Sequence, residues 1–325
     1  MLHNLYVTLT VVFPFLFYLS FGMFLRKIGA LPDDFSGRLN RFIARVLLPV
    51  YMFNSIYNKD IGRAFREPVA LYVGLGTLAI MLLMMAVIPF FEKDPAKQGA
   101  LVHCSARSNA IVFALPIAQG IFGEDIPEIV VVLAIVGLVN NLEAVPMMEY
   151  YRNKVRAAQG EETEKVRISV KALALDCLKT PLLDAVIIGI VWSLLKIPMP
   201  EMAGTAVKGL GGTVVPLAFI VLGARLDFGH LKSNRRSVIL VSLVKLFAVP
   251  ALFLILPLIL GWSEQNLVAV MVAFGAPTAV TAYAMTEAYE CDGKMAGEIV
   301  SLTSFLSIFS IFLWIFTFKQ LGLIS

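Results

Sequence analysis

Residues 69–91 read VALYVGLGTLAIMLLMMAVIPFF, an apolar run without a charged side chain. A helix of this length is long enough to cross the hydrocarbon core of a bilayer, which needs about 20 apolar residues. The run lacks the alternation of polar and apolar residues that a membrane β-strand shows. It therefore predicts a membrane-spanning α-helix.

The rest of the chain repeats this pattern. Of its 325 residues, 58% are hydrophobic and only 15% are charged, which leaves too few polar side chains to cover a soluble surface. We therefore predict an all-α integral membrane protein with ten transmembrane helices. The second and sixth of them need flanking residues to complete a span. The predicted spans are Leu5–Leu25, Phe42–Ile56, Val69–Phe91, Ala100–Ile121, Ile126–Met148, Leu182–Leu195, Ala203–Leu222, Val238–Leu260, Leu267–Ala288 and Ile299–Phe318.

Sequence signals for several other classes of protein are missing. The first span is predicted to be retained, because no basic segment precedes it and residues 24–27, FLRK, do not resemble a cleavage site. Cys104, Cys177 and Cys291 lack metal-ligand spacing, and we expect reduced packing residues. No phosphate-binding loop, metal-ligand cluster or channel filter is visible. We expect no enzyme, no cofactor, no metal ion and no nucleic-acid partner.

Loop charges predict the orientation. With the N-terminus outside, most Lys and Arg residues between spans fall on the cytoplasmic side, as expected for a multi-pass protein of the cell membrane. The predicted outer turns 123–127 and 261–265 contain no basic residue. Both termini are therefore predicted outside. The polar segment 151–180 is predicted to be a cytoplasmic linker between two five-helix halves, residues 1–150 and 181–325.

The two halves share the placement of residues that disturb helices. Five positions of the first half recur in the second at a shift of 167 residues: Pro14 and Pro181, Gly22 and Gly189, Gly37 and Gly204, Pro49 and Pro216, and Asp60 and Asp227. Proline and glycine mark where a helix bends or approaches another closely. An odd number of spans per half makes the two copies inverted. Inverted repeats are a common basis of alternating access in secondary transporters.

Two prolines fall in mid-span at corresponding places, Pro116 in the fourth span and Pro277 in the ninth. Irregular backbone at membrane depth is tolerated where it is buried in protein or lines a wet cavity. Half-helix N-termini at such breaks suit anions, and the opposing carbonyl ends suit cations. We therefore predict broken helices 4 and 9 with a transport site at Pro116 and Pro277.

Polar residues near these prolines are the candidate ligands. Each costs free energy in an apolar span unless it has a partner or water. The predicted substrate-binding residues are Arg107, Ser108, Asn109, Pro116, Asn140, Asn141, Glu143, Pro277, Thr278 and Thr281. Arg107 and Glu143 lie at similar depth, so they form either a structural ion pair or a site for an anion or proton. Lys245 lies at similar depth in the eighth span.

Several motifs resemble the auxin efflux carrier family, within the larger group that includes the bile-acid sodium symporters. The motifs span nearly the whole chain, and their order and spacing carry the resemblance. They are residues 22–27 (GMFLRK), 39–42 (LNRF), 47–49 (LLP), the segment from Asn109 to Pro116, residues 216–218 (PLA), 223–226 (GARL), 276–278 (APT) and 289–292 (YECD). Phe113 and Ala114 depart from the small, Gly-rich approach to the fourth-span proline that this family shows.

The resemblance implies a scaffold of spans 1, 2, 6 and 7 and a transport domain of spans 3–5 and 8–10, in which spans 4 and 9 cross at their breaks. It also implies elevator-like transport of a small organic anion, such as malate, malonate or an auxin-like acid, often by a homodimer. H⁺ or Na⁺ is the expected coupling ion. A sodium-coupled symporter of the bile-acid type and a membrane sensor that does not translocate are the alternatives.

Overall fold

A computed structural model describes residues 2–59, 61–64, 66–123, 126–161, 180–226 and 234–324, without the side chain of Arg63. These residues form helices and connections, with no β-strand among them. The helices are α1 (Leu2–Lys27), α2 (Asp33–Phe42), α3 (Leu48–Ile56), α4 (Ile61–Ala64), α5 (Pro68–Phe91), α6 (Pro95–Ala106), α7 (Ala110–Phe122), α8 (Pro127–Ala158), α9 (Pro181–Leu194), α10 (Glu201–Gly212), α11 (Val214–Ala224), α12 (Arg235–Leu243), α13 (Val249–Ile259), α14 (Glu264–Gly275), α15 (Thr281–Ala288) and α16 (Gly293–Gln320).

Two π-helical turns join neighbouring helices. Ile43–Leu47 links α2 to α3, and Val244–Ala248 links α12 to α13. The helix of the predicted second span therefore begins at Asp33, upstream of its expected start. A π-turn inserts an extra residue into the helix and is frequent at functional sites.

The prediction of a multi-pass membrane protein is supported by six stretches, among the described residues, that are long and apolar enough to cross a membrane. They are Leu2–Lys27, Pro68–Phe91, Pro127–Ala158, Glu201–Arg225, Arg235–Ile259 and Gly293–Gln320. Two shorter apolar helices are Ala110–Phe122 and Pro181–Leu194. The total of ten crossings and the inverted relation between the halves remain predictions.

Two of the helices predicted to cross the membrane are broken. The first consists of α6 and α7, the second of α14 and α15, and α6 and α14 each contain 12 residues. The C-cap residues Arg107 and Ala276 are both extended, with ψ angles of 117° and 151°. The second break includes Pro277, as predicted. The first lies at residues 107–109, so its predicted position at Pro116 was wrong, because Pro116 lies inside α7.

The two breaks contact each other through their backbones. Ser108 and Thr278 form an isolated antiparallel bridge. The amide of Asn109 donates to the carbonyl of Pro277 at 2.8 Å, and the amide of Ala279 donates to that of Arg107 at 3.4 Å. Backbone groups that leave a helix inside a membrane need other partners. Each break supplies partners to the other, so the crossing of the fourth and ninth helices is stabilised from both sides.

For description we divide the helices into two groups, α1–α3 with α9–α11 and α5–α8 with α12–α16, and α1 also packs against α16 across this division. In the first group α1 packs against α11, and α3 packs against α9 and α10. In the second, α5, α6 and α8 pack together, and α14 packs against α8 and α13. The surface between the two groups positions the candidate site.

Parts of the sequence-based interpretation fall outside the described residues. These are Asp60, Asp227, Cys177 and residues 162–179 of the predicted linker. The start of that linker is described, and there α8 continues to Ala158. Cys104 and Cys291 are buried free thiols.

Candidate functional site

A cavity of about 320 Å³ lies where the first break meets the opposite group of helices. Its walls include residues of α2, α3, α9 and α11 from one group and of α7, α8 and the second break from the other. We call it the break cavity. Its polar lining residues are Asn40, Arg107, Ser108, Asn109, Asn140, Asn141, Thr180, Arg225 and Thr281.

Arg107 is held in this cavity by neutral oxygens. Its Nε donates to Thr281 Oγ1 at 3.1 Å, one Nη donates to the carbonyl of Asn140 at 3.2 Å, and the other donates to Asn141 Oδ1 at 3.1 Å. A guanidinium carries five N–H donors, so these three bonds leave donors for a ligand. The site thus presents a fixed cation whose orientation is set by two helices, α8 and α15.

The N-termini of α7 and α15 both border the break cavity. Ile111 and Val112 of the first turn of α7 line it, as do Val280 and Thr281 at the start of α15. The first N–H groups of a helix have no partner within the helix and carry partial positive charge. Two such ends beside Arg107 make the cavity suited to an anion.

Two side-chain oxygens in the cavity wall have no hydrogen-bond partner in the described part of the chain. They are Ser108 Oγ and Asn140 Oδ1, and these residues are 9% and 5% exposed. A buried polar group without a partner costs about 1–3 kcal/mol. Their position in the cavity wall is therefore consistent with hydrogen bonds to a bound ligand or to water.

The predicted site residues separate into two sets. Six of them line the break cavity: Arg107, Ser108, Asn109, Asn140, Asn141 and Thr281. Thr278 has a packing role, since its hydroxyl donates to the carbonyl of Cys104 at 2.7 Å. The carbonyl of Pro277 accepts the Asn109 amide. Pro116 lines a different cavity.

Glu143 is buried behind the cavity wall. Its Oε2 has no hydrogen-bond partner in the described chain, while the hydrogen bonds found for Arg107 all go to neutral oxygens. The two side chains interact electrostatically, and Lys245 also acts on Glu143. The expected Arg107–Glu143 pair is thus a longer-range interaction, because three neutral oxygens hold the guanidinium.

Lys245 contacts the carbonyl end of the first break. It lies in the π-turn between α12 and α13, it is 1% exposed, and its Nζ donates to the carbonyl of Ala106 at 3.4 Å. Ala106 is the last residue of α6, where unpaired carbonyls carry partial negative charge. The lysine ammonium thus lies where a helix end attracts a cation.

A second cavity of about 1,020 Å³ lies further along the same surface between the two groups. We call it the distal cavity; its walls include Pro14, Tyr51, Pro116, Gln119 and Lys208. It borders the N-terminal half of α1 and the end of α3, which the loop charges predict to be outside.

Three aromatic rings pack beside the two cavities. The Phe219 ring lies 5.0 Å from that of Phe15 and 4.7 Å from that of Phe113, between centroids. On α11, Val215 and Pro216 line the distal cavity and Ala218 and Val221 line the break cavity, so the buried Phe219 lies at the boundary. This aromatic cluster contributes to the separation of the cavities.

Sequence reasoning missed three polar residues of the cavity wall, Asn40, Thr180 and Arg225. Asn40 and Arg225 belong to motifs that carried the family resemblance, residues 39–42 and 223–226. Arg225 follows the predicted span Ala203–Leu222, so the loop charges predict that it lies in a cytoplasmic loop. In the structure it is the C-cap of α11, and this position brings it into the cavity wall.

Comparison with known proteins agrees with the resemblance. The sequence matches the membrane transport protein family, which is the auxin efflux carrier family, over residues 7–315. An uncharacterized transporter of Methanothermobacter thermautotrophicus is 23% identical over 301 residues, which cover 90% of this chain and 92% of the relative. An uncharacterized transporter of Methanocaldococcus jannaschii is 22% identical over 315 residues, covering 95% and 98% of the two chains.

Proposed function

We propose that this chain, which belongs to the membrane transport protein family, is a secondary carrier that moves a small organic anion, a carboxylate, across the membrane. The substrate binds in the break cavity. The carrier works by elevator-type alternating access, in which the group containing both broken helices moves against the group formed by α1–α3 and α9–α11.

The observation that carries this proposal is the placement of Arg107 beside two helix N-termini in one cavity. A guanidinium matches a carboxylate geometrically and forms charge-assisted hydrogen bonds with it. The unpartnered Ser108 hydroxyl lies in the same wall and can donate to the carboxylate, and Asn140 Oδ1 can accept from a hydroxyl group of the substrate or from water. Such a cavity stabilises a negative charge at membrane depth, where an uncompensated charge is costly.

The packing of the helices supports the elevator mechanism. The break cavity takes its walls from both groups, so relative movement of the groups changes its exposure. Asn40, Thr180 and Arg225 lie at the helix ends that the loop charges assign to the cytoplasm. The described conformation is therefore proposed to face inward, and the aromatic cluster helps to close it toward the distal cavity.

We propose H⁺ rather than Na⁺ as the coupling ion. In a sodium symporter, carbonyl ends at helix breaks help to hold the cation. Here the ammonium of Lys245 bonds to the final carbonyl of α6. The buried Glu143 lies within electrostatic range of both Arg107 and Lys245, and it is the proposed proton carrier.

The test is uptake of labelled malate, malonate and indole-3-acetate into proteoliposomes under an imposed proton or sodium gradient. Ser108→Ala and Arg107→Gln change the cavity wall. Ser105→Ala is the matched control, because Ser105 is buried in α6 and its hydroxyl donates to the carbonyl of Leu101. We expect saturable uptake of at least one acid that Arg107→Gln abolishes, that Ser108→Ala reduces and that the control retains.

The alternatives predict different results. Uptake driven only by sodium would support the symporter of the bile-acid type. Binding of an acid without flux would support a membrane sensor. No binding and no flux of any of these acids, from protein that elutes as a single folded species, would contradict the proposal. Size measurement on the same sample tests the expected homodimer.

A further inference from the structure

Arg225 is a second cation in the wall of the break cavity. It is the C-cap of α11, and its amide bonds to the carbonyls of Val221 and Leu222. Its side chain is half-buried and lines the cavity. Arg107 belongs to the group of helices that contains both breaks, whereas Arg225 belongs to the other group. A ligand that contacts both arginines would therefore bridge the two groups.

The charge of the cavity wall favours more than one negative charge on the ligand. Arg107 and Arg225 are its charged lining residues, and no Asp or Glu of the described chain lines it. Behind the wall, the charges of Glu143 and Lys245 interact with each other and offset. A monoanion would neutralise only one of these two arginines, whereas a dianion supplies a partner to each.

From this arrangement we propose that Arg225 is a specificity-determining residue that binds a second carboxylate, so that the carrier selects dicarboxylates over monocarboxylates. One carboxylate of the substrate contacts Arg107 and the two helix N-termini, and the other contacts Arg225. This inference rests on the proposed function and names the substrate class of the same site.

The position of Arg225 also has an explanation that involves no substrate, because basic residues are enriched at the cytoplasmic ends of membrane helices in general. The chain offers a control for that explanation. Lys294 has the same charge and is exposed in the first turn of α16. It lines a neighbouring cavity together with Arg225 but does not line the break cavity. A general effect of surface charge would appear equally at both positions.

The experiment measures uptake of a labelled acid and its competition by unlabelled acids in proteoliposomes. The dicarboxylates are malonate, succinate and glutarate, and the monocarboxylates are acetate, butyrate and indole-3-acetate. Arg225→Gln, Arg225→Lys and Lys294→Gln are compared with the wild type. Thermal stabilisation of the purified proteins by each acid provides a second readout that does not need transport.

We expect wild-type uptake to be inhibited more strongly by dicarboxylates, with an optimum chain length set by the separation of the arginines. Arg225→Gln should weaken dicarboxylate binding by about 10- to 100-fold, the usual loss for a charge-assisted bond. Monocarboxylate binding should change little. Arg225→Lys should restore part of the preference, and Lys294→Gln should resemble the wild type.

The proposal is overturned if wild type does not distinguish the two classes, if Arg225→Gln weakens both equally, or if Lys294→Gln has the same effect. These results leave organic-anion transport by the wild type intact, so they differ from failure of the proposed function. Loss of both classes in Arg225→Gln, with normal thermal unfolding, also overturns it, because a second anchor affects only the second charge.

Discussion

The close contact between α1 and α11 predicts that a side chain added there lowers the stability of the protein, because the atoms in its way belong to the backbone. Gly22 and Gly223 face each other across these helices. A Cβ atom added at Gly22 would overlap the carbonyl oxygen of Ile220, and one added at Gly223 would overlap that of Leu19. The overlapped atoms belong to the backbone, so no change of rotamer relieves them. The two helices would have to move apart, because only small residues allow helices to approach this closely.

The change in the free energy of unfolding for Gly22→Ala follows from two opposing contributions. Alanine in place of glycine in a helix is favourable by about 1 kcal/mol, whereas overpacking costs about 1–3 kcal/mol or more. A gap of 0.5–1 Å between packed surfaces also removes about a quarter to a half of their dispersion attraction. We expect Gly22→Ala to lower the free energy of unfolding by about 1–3 kcal/mol. Gly223→Ala should lower the free energy of unfolding by a similar amount. The double variant should lose less than the two single losses added together, because one separation of the helices relieves both overlaps.

Gly209 provides the matched control. It lies in α10, and no atom lies within 4 Å of a Cβ built there, so Gly209→Ala should be neutral or stabilising by up to about 1 kcal/mol. Thermal unfolding in one detergent, followed by tryptophan fluorescence, ranks the variants. Equal midpoints for Gly22→Ala and Gly209→Ala, or fully additive losses in the double variant, would refute the reasoning.

Three further predictions concern other parts of the molecule. Lys245→Met removes the ammonium from the carbonyl end of α6 and should make uptake respond to Na⁺; uptake that stays indifferent to replacement of Na⁺ by choline would contradict this. Phe219→Leu removes two ring contacts, worth about 1–3 kcal/mol together, and should speed labelling of Ser108→Cys by an impermeant thiol reagent added from the distal side; an unchanged rate would contradict it. Hydrogen bonds from Arg156 lower the pKa of Glu290 in the folded protein. The pair therefore stabilises the fold at pH values above the pKa of the unfolded chain, about 4.3. This contribution disappears as the pH falls through the lower pKa of the folded protein. Melting curves should therefore show a small deficit for Glu290→Gln at pH 7 that vanishes in acid, and a deficit independent of pH would count against the pair.

Much of the architecture could be predicted because apolar length alone specifies a membrane helix. The run 69–91 became α5 from Pro68 to Phe91 almost residue for residue. The recurrence of glycine predicted close approach of helices, which the structure shows at Gly22 against Ile220 and at Gly189 against Ile56. Hydropathy could not locate Arg225 in the cavity wall, because that position depends on how α11 packs against helices distant in sequence.

The position of the first break shows why proline was an incomplete guide. Pro116 removes one N–H donor, yet α7 continues from Ala110 to Phe122 around it, as membrane helices can when neighbours satisfy the freed groups. The helix instead stops at Arg107, Ser108 and Asn109. The backbones of Arg107 and Asn109 and the side chain of Arg107 bond to residues of the second break, and all three residues line the cavity. A run of three polar residues at membrane depth is therefore the stronger signal for a break.

This distinction also bears on function. A proline kink leaves the side chains of its helix in one continuous register, whereas a break that starts a new helix exposes N–H groups at its start. The first break has Arg107 at the end of one segment and the N-terminus of α7 immediately after it. The proposed carboxylate site thus arises from three consecutive residues, and the opposite break completes it through Thr281, which bonds to the guanidinium. Loss of the hydroxyl in Thr281→Val should therefore weaken anion uptake although Thr281 has no charge, and uptake unchanged by this substitution would mean that the guanidinium orientation does not limit binding.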